Sequence, residues 1–149
     1  MKEKNVILFV RGEQSYDGTD PEVTELMTEG RMTLDGERVE LSYEESELTG
    51  MEGTTTHFII EKDQVVLERR GTLRSRLDFH LGGQCSSLYE TPWGTMVVDV
   101  STIQLAHRLG EHGGVLELRF TIAINHQVTG ENRFKIRVRE AARPAAGPA

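Results

Sequence analysis

The chain has 149 residues, 37% hydrophobic and 28% charged, enough for one domain that buries about two-thirds of the surface its unfolded form would expose. Its 24 acidic against 17 basic residues leave a formal charge of −7, which favours solubility and argues against general polyanion binding, because phosphate contacts need clustered Lys and Arg. The one cysteine, Cys85, excludes an internal disulfide, so nothing ties the fold to an oxidising compartment.

The chain opens MKEKNVILFVRGE, whose apolar run Val6 to Val10 is too short for a signal-peptide core or a bilayer span. We therefore expect a cytoplasmic protein with no membrane partner and no nucleic-acid partner. Val6, Leu8 and Val10 alternate with polar neighbours, and period-two alternation then recurs along nearly the whole chain. It continues through Leu26, Thr28, Met32 and Leu34; Val39, Leu41 and Tyr43; Thr56, Phe58 and Ile60; Val65, Leu67 and Arg69. Beyond these come Leu73, Leu77, Phe79 and Leu81; Cys85, Ser87 and Tyr89; Met96, Val98 and Val100. Leu105 to Glu111 is also compatible with one or two helical turns. The clearest strand is Leu116, Leu118, Phe120, Ile122 and Ile124, followed by Phe134, Ile136 and Val138 after a loop placed around Gly130. Turn signals separate the runs at Asp35-Gly36, Gly50 to Gly53, Lys62-Asp63, Gly71, Gly82-Gly83, Pro92 to Gly94 and Gly113-Gly114.

About ten short strands joined by short connections make each strand the antiparallel neighbour of the next, and closing the meander removes the edges that invite aggregation. We expect an all-β fold: a closed antiparallel up-and-down barrel of about 8–10 strands over residues 1–140. Residues 141–149 (AARPAAGPA) have no periodicity and no large apolar side chain, and are expected to fray.

With the apolar face of each strand inward, several polar residues fall inside with it. Tyr43 and Glu45 continue the phase of Val39 and Leu41, Arg69 continues that of Val65 and Leu67, and Tyr89 and Thr91 share the face of Cys85. A buried unpaired charge is costly, so Glu45 and Arg69 should be paired, with each other as the first choice. Such a pair can simply fix register. The functional alternative is a set of convergent polar groups in an apolar cavity, the usual form of a small-ligand site.

The remaining polar residues have ordinary explanations. The five histidines have no metal-ligand spacing, and we expect no metal and no cofactor. Cys85 is expected to be a small buried residue, without an evident base beside it. Ser86-Ser87 sits in no nucleophile-elbow context, and Glu44 and Glu45, adjacent on a strand, point to opposite faces and cannot work as an acid and base pair. Trp93, between Pro92 and Gly94, is expected to cover a barrel end. The outward stripe Arg133, Lys135, Arg137 and Arg139 faces Glu117 across the last hairpin, which makes cross-strand pairing its plain explanation.

Tyr43-Glu44-Glu45, Leu48-Thr49-Gly50-Met51, Thr54-Thr55-Thr56, Val65 to Leu67 with Arg69 and Gly71, Leu77 with Phe79, Tyr89-Glu90-Thr91-Pro92-Trp93-Gly94, Val100 with Thr102, and the strand Leu116 to Asn125 stand in one order. That order resembles the YwiB-like family of bacterial β-barrel proteins of unknown function, over roughly residues 5 to 140. The resemblance implies a calycin-like barrel, the architecture of lipocalins and fatty-acid-binding proteins, and implies no activity. Trp93 stands where that family commonly has a tyrosine or phenylalanine, and Phe120 where it commonly has a tyrosine.

The function expected is non-enzymatic binding of a small amphipathic or apolar ligand in the barrel, with Tyr43, Glu45, Arg69, Tyr89 and Thr91 as the candidate site. The alternative is a structural or protein-interaction module with a filled interior, read by a partner on its outer surface. An enzyme ranks third, since no nucleophile, base and orienting group form a recognisable set.

Overall fold

A computed structural model describes residues 2–15, 20–46, 52–71 and 74–141, apart from the side chains of residues 88, 89, 91 and 129. Ten strands follow one another: β1 (Lys2–Ser15), β2 (Glu22–Asp35), β3 (Arg38–Glu44), β4 (Thr54–Ile60), β5 (Gln64–Gly71), β6 (Ser75–His80), β7 (Gln84–Thr91), β8 (Gly94–Gly110), β9 (Gly113–Ile124) and β10 (Gln127–Glu140). They form one antiparallel sheet in the order β6-β5-β4-β3-β2-β1-β10-β9-β8-β7. Each strand thus lies beside its neighbour in sequence, and the first strand pairs with the last from Val6–Glu140 to Ser15–Glu131. The two ends of the sheet, β6 and β7, are consecutive in the chain: the Gly83 amide closes the turn between them on the His80 carbonyl at 2.8 Å, and the bridge Arg74–Glu90 links them further along. The expected meander is therefore present and nearly closed, with its seam in the middle of the chain.

Period-two patterning explains which face is inside. Leu8, Met32, Leu41, Phe58, Ile60, Leu67, Phe79, Leu116, Leu118 and Ile136 are buried at the inward positions of eight strands. Four phenylalanines fill the lumen. Phe79 and Phe120 have ring centroids 4.6 Å apart, Phe120 stacks on Phe134 at 6.2 Å, and Phe134 meets Phe58 edge-on at 6.4 Å. Phe120, where the family commonly has a tyrosine, is thus a buried hydrocarbon link in a continuous aromatic column.

Four local expectations are corrected. Leu105 to Glu111 is not helical: residues to Gly110 extend β8, and a bulge between Thr102 and Gln104 shifts the alternation that makes the segment ambiguous in sequence. That bulge leaves Ile103 exposed and Thr102 inside, where its hydroxyl accepts a bond from the His80 amide at 3.1 Å across the seam. The last hairpin turns at Asn125-His126, both with positive φ (50° and 69°), and not around Gly130, which lies in β10 at a register shift. Positive φ at both central residues gives the two-residue turn whose twist matches the flanking strands, and Asn and His tolerate that region better than most residues. Trp93 is 92% exposed and covers no barrel end, and Cys85 is only half-buried. Of the expected tail, only Ala141 lies among the described residues, its amide bonded to the Asn5 carbonyl at 3.0 Å.

Candidate functional site

The cross-strand register brings the predicted polar residues together. Tyr43 on β3 stands opposite Thr56 on β4, Thr56 opposite Arg69 on β5, and Arg69 opposite Ser75 on β6. All four occupy inward positions, so a polar row crosses four strands at one end of the apolar column. Glu45 lies just past β3, held there by a bond from its amide to the Thr54 carbonyl at 2.9 Å. Its side chain is 1% exposed, while that of Arg69 is 14% exposed.

Arg69 is indeed inside, and Glu45 is its partner, but the contact is loose. The Arg69 Nε atom is 4.0 Å from Glu45 Oε2, beyond hydrogen-bond distance. Thr56 Oγ1 instead donates to Glu45 Oε2 at 2.6 Å. Among the described residues, Glu45 Oε1, Arg69 Nε, Ser75 Oγ and Asn132 Nδ2 are buried with no hydrogen-bond partner. Burial, and then the charge of Glu45, push the Tyr43 phenol pKa well above its ordinary value, so Tyr43 stays neutral, with its hydroxyl already engaged by Thr56 and Glu45.

Two openings reach this row. A cavity of about 300 Å³ at the barrel mouth is lined by Val10, Gly12, Leu26, Tyr43, Glu45, Arg69, Asn132 and Phe134 on its inner side, with Glu13, Glu22 and Arg133 also in its wall. Phe134, the end of the aromatic column, forms part of the apolar wall. On the other side, β2 and β3 pair only from Arg31–Ser42 to Asp35–Arg38 and part beyond. The cleft between them is also lined by Tyr43 and Glu45. Gly30 sits where they part: a β-carbon there would lie 2.5 Å from the Ser42 carbonyl oxygen and 2.8 Å from Leu8 Cδ1, so only glycine permits this approach.

Tyr43, Glu45 and Arg69 are therefore brought together. Tyr89 and Thr91 belong to β7, but their side chains lie outside the described residues. Sequence reasoning missed Thr56, Ser75 and Asn132. Thr56 and Ser75 carry the signal plainly, since they continue the phases of Phe58 and Leu77 by one step. Asn132 continues that of Phe134, but placing the hairpin loop around Gly130 hid it.

Elsewhere polar groups form pairs and small clusters at the surface. Lys135 meets Glu117 at 3.6 Å, as the cross-strand explanation of the basic stripe requires, and the Arg139 guanidinium lies 5.5 Å over the Phe9 ring. His107 Nε2 contacts the Lys62 carbonyl, His112 contacts Glu140, and His126 contacts Asp99, which also accepts a bond from Ser86 Oγ at 2.5 Å. Among the described residues, no group of three or more His, Cys, Asp or Glu side chains is placed to hold a metal ion, and no helix is long and apolar enough to cross a membrane.

Comparison with known proteins bears on the fold. The crystal structure of the ywiB protein from Bacillus subtilis superposes with a TM-score of 0.82 over 94% of each chain, at 20% sequence identity. Among curated proteins no sequence matches this chain. A family model described as a domain of unknown function, DUF1934, matches residues 9–136, and the chain belongs to that family.

Proposed function

We propose that this protein is a non-enzymatic binding protein that takes a small molecule into the mouth of its barrel. The observation that carries the proposal is the unsatisfied polar set. Glu45 Oε1, Arg69 Nε and Asn132 Nδ2 are buried with no hydrogen-bond partner on the protein itself, on residues that line one cavity. Native structures rarely leave such groups unpaired, because each costs about 1–3 kcal/mol when stranded. A ligand that bonds them recovers that cost. The aromatic column fills the centre, so the ligand sits at the mouth and not along the lumen as in a carrier of long-chain lipids. About 300 Å³ is at the lower bound of ligand pockets, which limits the ligand to a compact one.

The calycin-like description fits this reading as architecture, with the capacity of the barrel reduced to one end. We also assign the protein to the bacterial cytoplasm. Its outward strand positions carry Arg133, Lys135, Arg137 and Arg139 while its lumen is apolar, the inverse of a transmembrane barrel. Its single cysteine leaves it independent of an oxidising compartment.

Native mass spectrometry of the protein isolated from its own cell extract tests the proposal: a small-molecule adduct that disappears in Arg69→Ala and Asn132→Ala supports it. A protein free of adduct in extract-equilibrated samples contradicts it. The filled centre favours one rival, an interaction module read on the β10 face. That reading requires a partner captured at low salt and released as ionic strength rises.

A further inference from the structure

We propose that the mouth cavity is built for an amino-acid-sized zwitterion, a molecule with an ammonium and a carboxylate close together. This deepens the binding role proposed above and rests on it. The argument is an inventory of unsatisfied atoms. Glu45 Oε1 can only accept, since an ionised carboxylate has no proton to give, whereas Arg69 Nε and Asn132 Nδ2 can only donate. The cavity therefore demands a donor and an acceptor from the same guest.

The two halves of that demand lie side by side. Arg69 Nε is 4.0 Å from the Glu45 carboxylate, too far to be satisfied by it and near enough that one compact molecule spans both. Thr56 already occupies Glu45 Oε2, so the free oxygen is Oε1. An ammonium there meets a carboxylate that is almost wholly buried, where a charged hydrogen bond is worth about twice a neutral one. A carboxylate on the guest meets Arg69 Nε and the Asn132 amide. The neutral Tyr43 hydroxyl, already engaged with Thr56 and Glu45, adds no second negative charge to the site.

Simpler guests fail on electrostatics. A monoamine leaves two buried donors unpaired, and a monocarboxylate turns a negative charge towards Glu45. A purely apolar guest leaves every orphaned atom as it is. The residual wall of Val10, Leu26 and Phe134 gives the zwitterion an apolar surface for its side chain. Glu13 and Glu22 set against Arg133 in the cavity wall repeat the mixed charge of the interior and disfavour a guest with large net charge of either sign.

The test uses the purified full-length protein and the twenty protein amino acids as probes, first by thermal shift at millimolar concentration and then by calorimetric titration of the best binder. That binder is compared with its decarboxylated amine and its deaminated acid, which keep the side chain and remove one charge each. The proposal expects at least one amino acid to bind, and each half-molecule to bind at least about tenfold more weakly. It also expects Asn132→Asp, which turns a carboxylate towards that of the guest, to weaken binding by at least about tenfold, measured in protein shown to be folded by its backbone spectrum. Equal binding of the amine or the acid overturns the zwitterion assignment, as does failure of all twenty probes. Native mass spectrometry then separates the two levels: an extract-derived adduct of other chemistry, lost in Arg69→Ala, leaves the site standing and removes only the ligand class. No adduct removes both.

Discussion

Replacing Arg69 by Met and Glu45 by Gln, singly and together, measures the polar row at its most consequential contact. Glu45→Gln is isosteric and still offers Thr56 an acceptor in place of the 2.6 Å bond to Glu45 Oε2, while Arg69→Met keeps the unbranched stem and removes the charge. At the observed 4.0 Å, opposite charges attract by about 4 kcal/mol at the effective dielectric of a protein near its surface, and by about 1 kcal/mol in water. Arg69 is 14% exposed at an open mouth, so the coupling should fall between these limits, at about 2 kcal/mol. The two single variants should differ. Arg69→Met strands a carboxylate that is 1% exposed and should cost about 3 kcal/mol, whereas Glu45→Gln strands a guanidinium that reaches solvent and should cost less. Urea unfolding of all four proteins at neutral pH gives the cycle. Single-variant effects that add to within about 0.5 kcal/mol would show two charges that do not interact, and would refute the reasoning.

Tyr43 should ionise only well above the ordinary tyrosine range. Its raised pKa means that the fold favours the neutral phenol, so its contribution to stability is complete below about pH 10 and is lost as pH rises towards the folded-state value. An absorbance titration should show a late phase that Tyr43→Phe removes, and a high-pH phase left unchanged by Tyr43→Phe would contradict this. Gly30→Ala should destabilise by about 1–3 kcal/mol, because its β-carbon overlaps backbone at Ser42, whereas Gly12→Ala, with its nearest contact at 3.7 Å, should be close to neutral in urea unfolding. His126→Val should cost about 1–2 kcal/mol, since a β-branched residue resists a φ of 69°, and His126→Gly should cost clearly less; equal losses in thermal unfolding would show that backbone conformation does not govern this turn.

The fold was legible because the alternation of apolar and polar residues is long and clean in most strands, and because short connections leave a meander few alternatives. Where the reading failed, the period itself was broken. The bulge at Thr102 to Gln104 shifts the phase of β8, and so Leu105 to Glu111 resembles a helix. At the last hairpin, Gly130 is the strongest local turn signal, but Asn125-His126 makes the turn and Gly130 absorbs an irregularity in β10. The same error concealed Asn132. Tyr43, Glu45 and Arg69 were legible because the phase that places Leu41 and Leu67 inside places them there too. Their spacing was not, since alternation fixes a face and says nothing of whether a buried pair closes to hydrogen-bond distance or stops at 4.0 Å. The filling of the lumen was equally hidden: each phenylalanine is visible as an inward residue, but the column exists only once the register is set.

The central claim, that the unsatisfied groups at the mouth hold a compact ligand, is tested most directly by nitrogen-15 correlation spectra recorded with and without the small-molecule fraction of the cell extract. We predict shifts confined to the Arg69 Nε–H group, the Asn132 side-chain amide and the backbone of Gly12 and Tyr43, around the one cavity these residues share. Shifts confined instead to the outer face around Arg137 and Arg139, or spectra that superpose throughout, would contradict it.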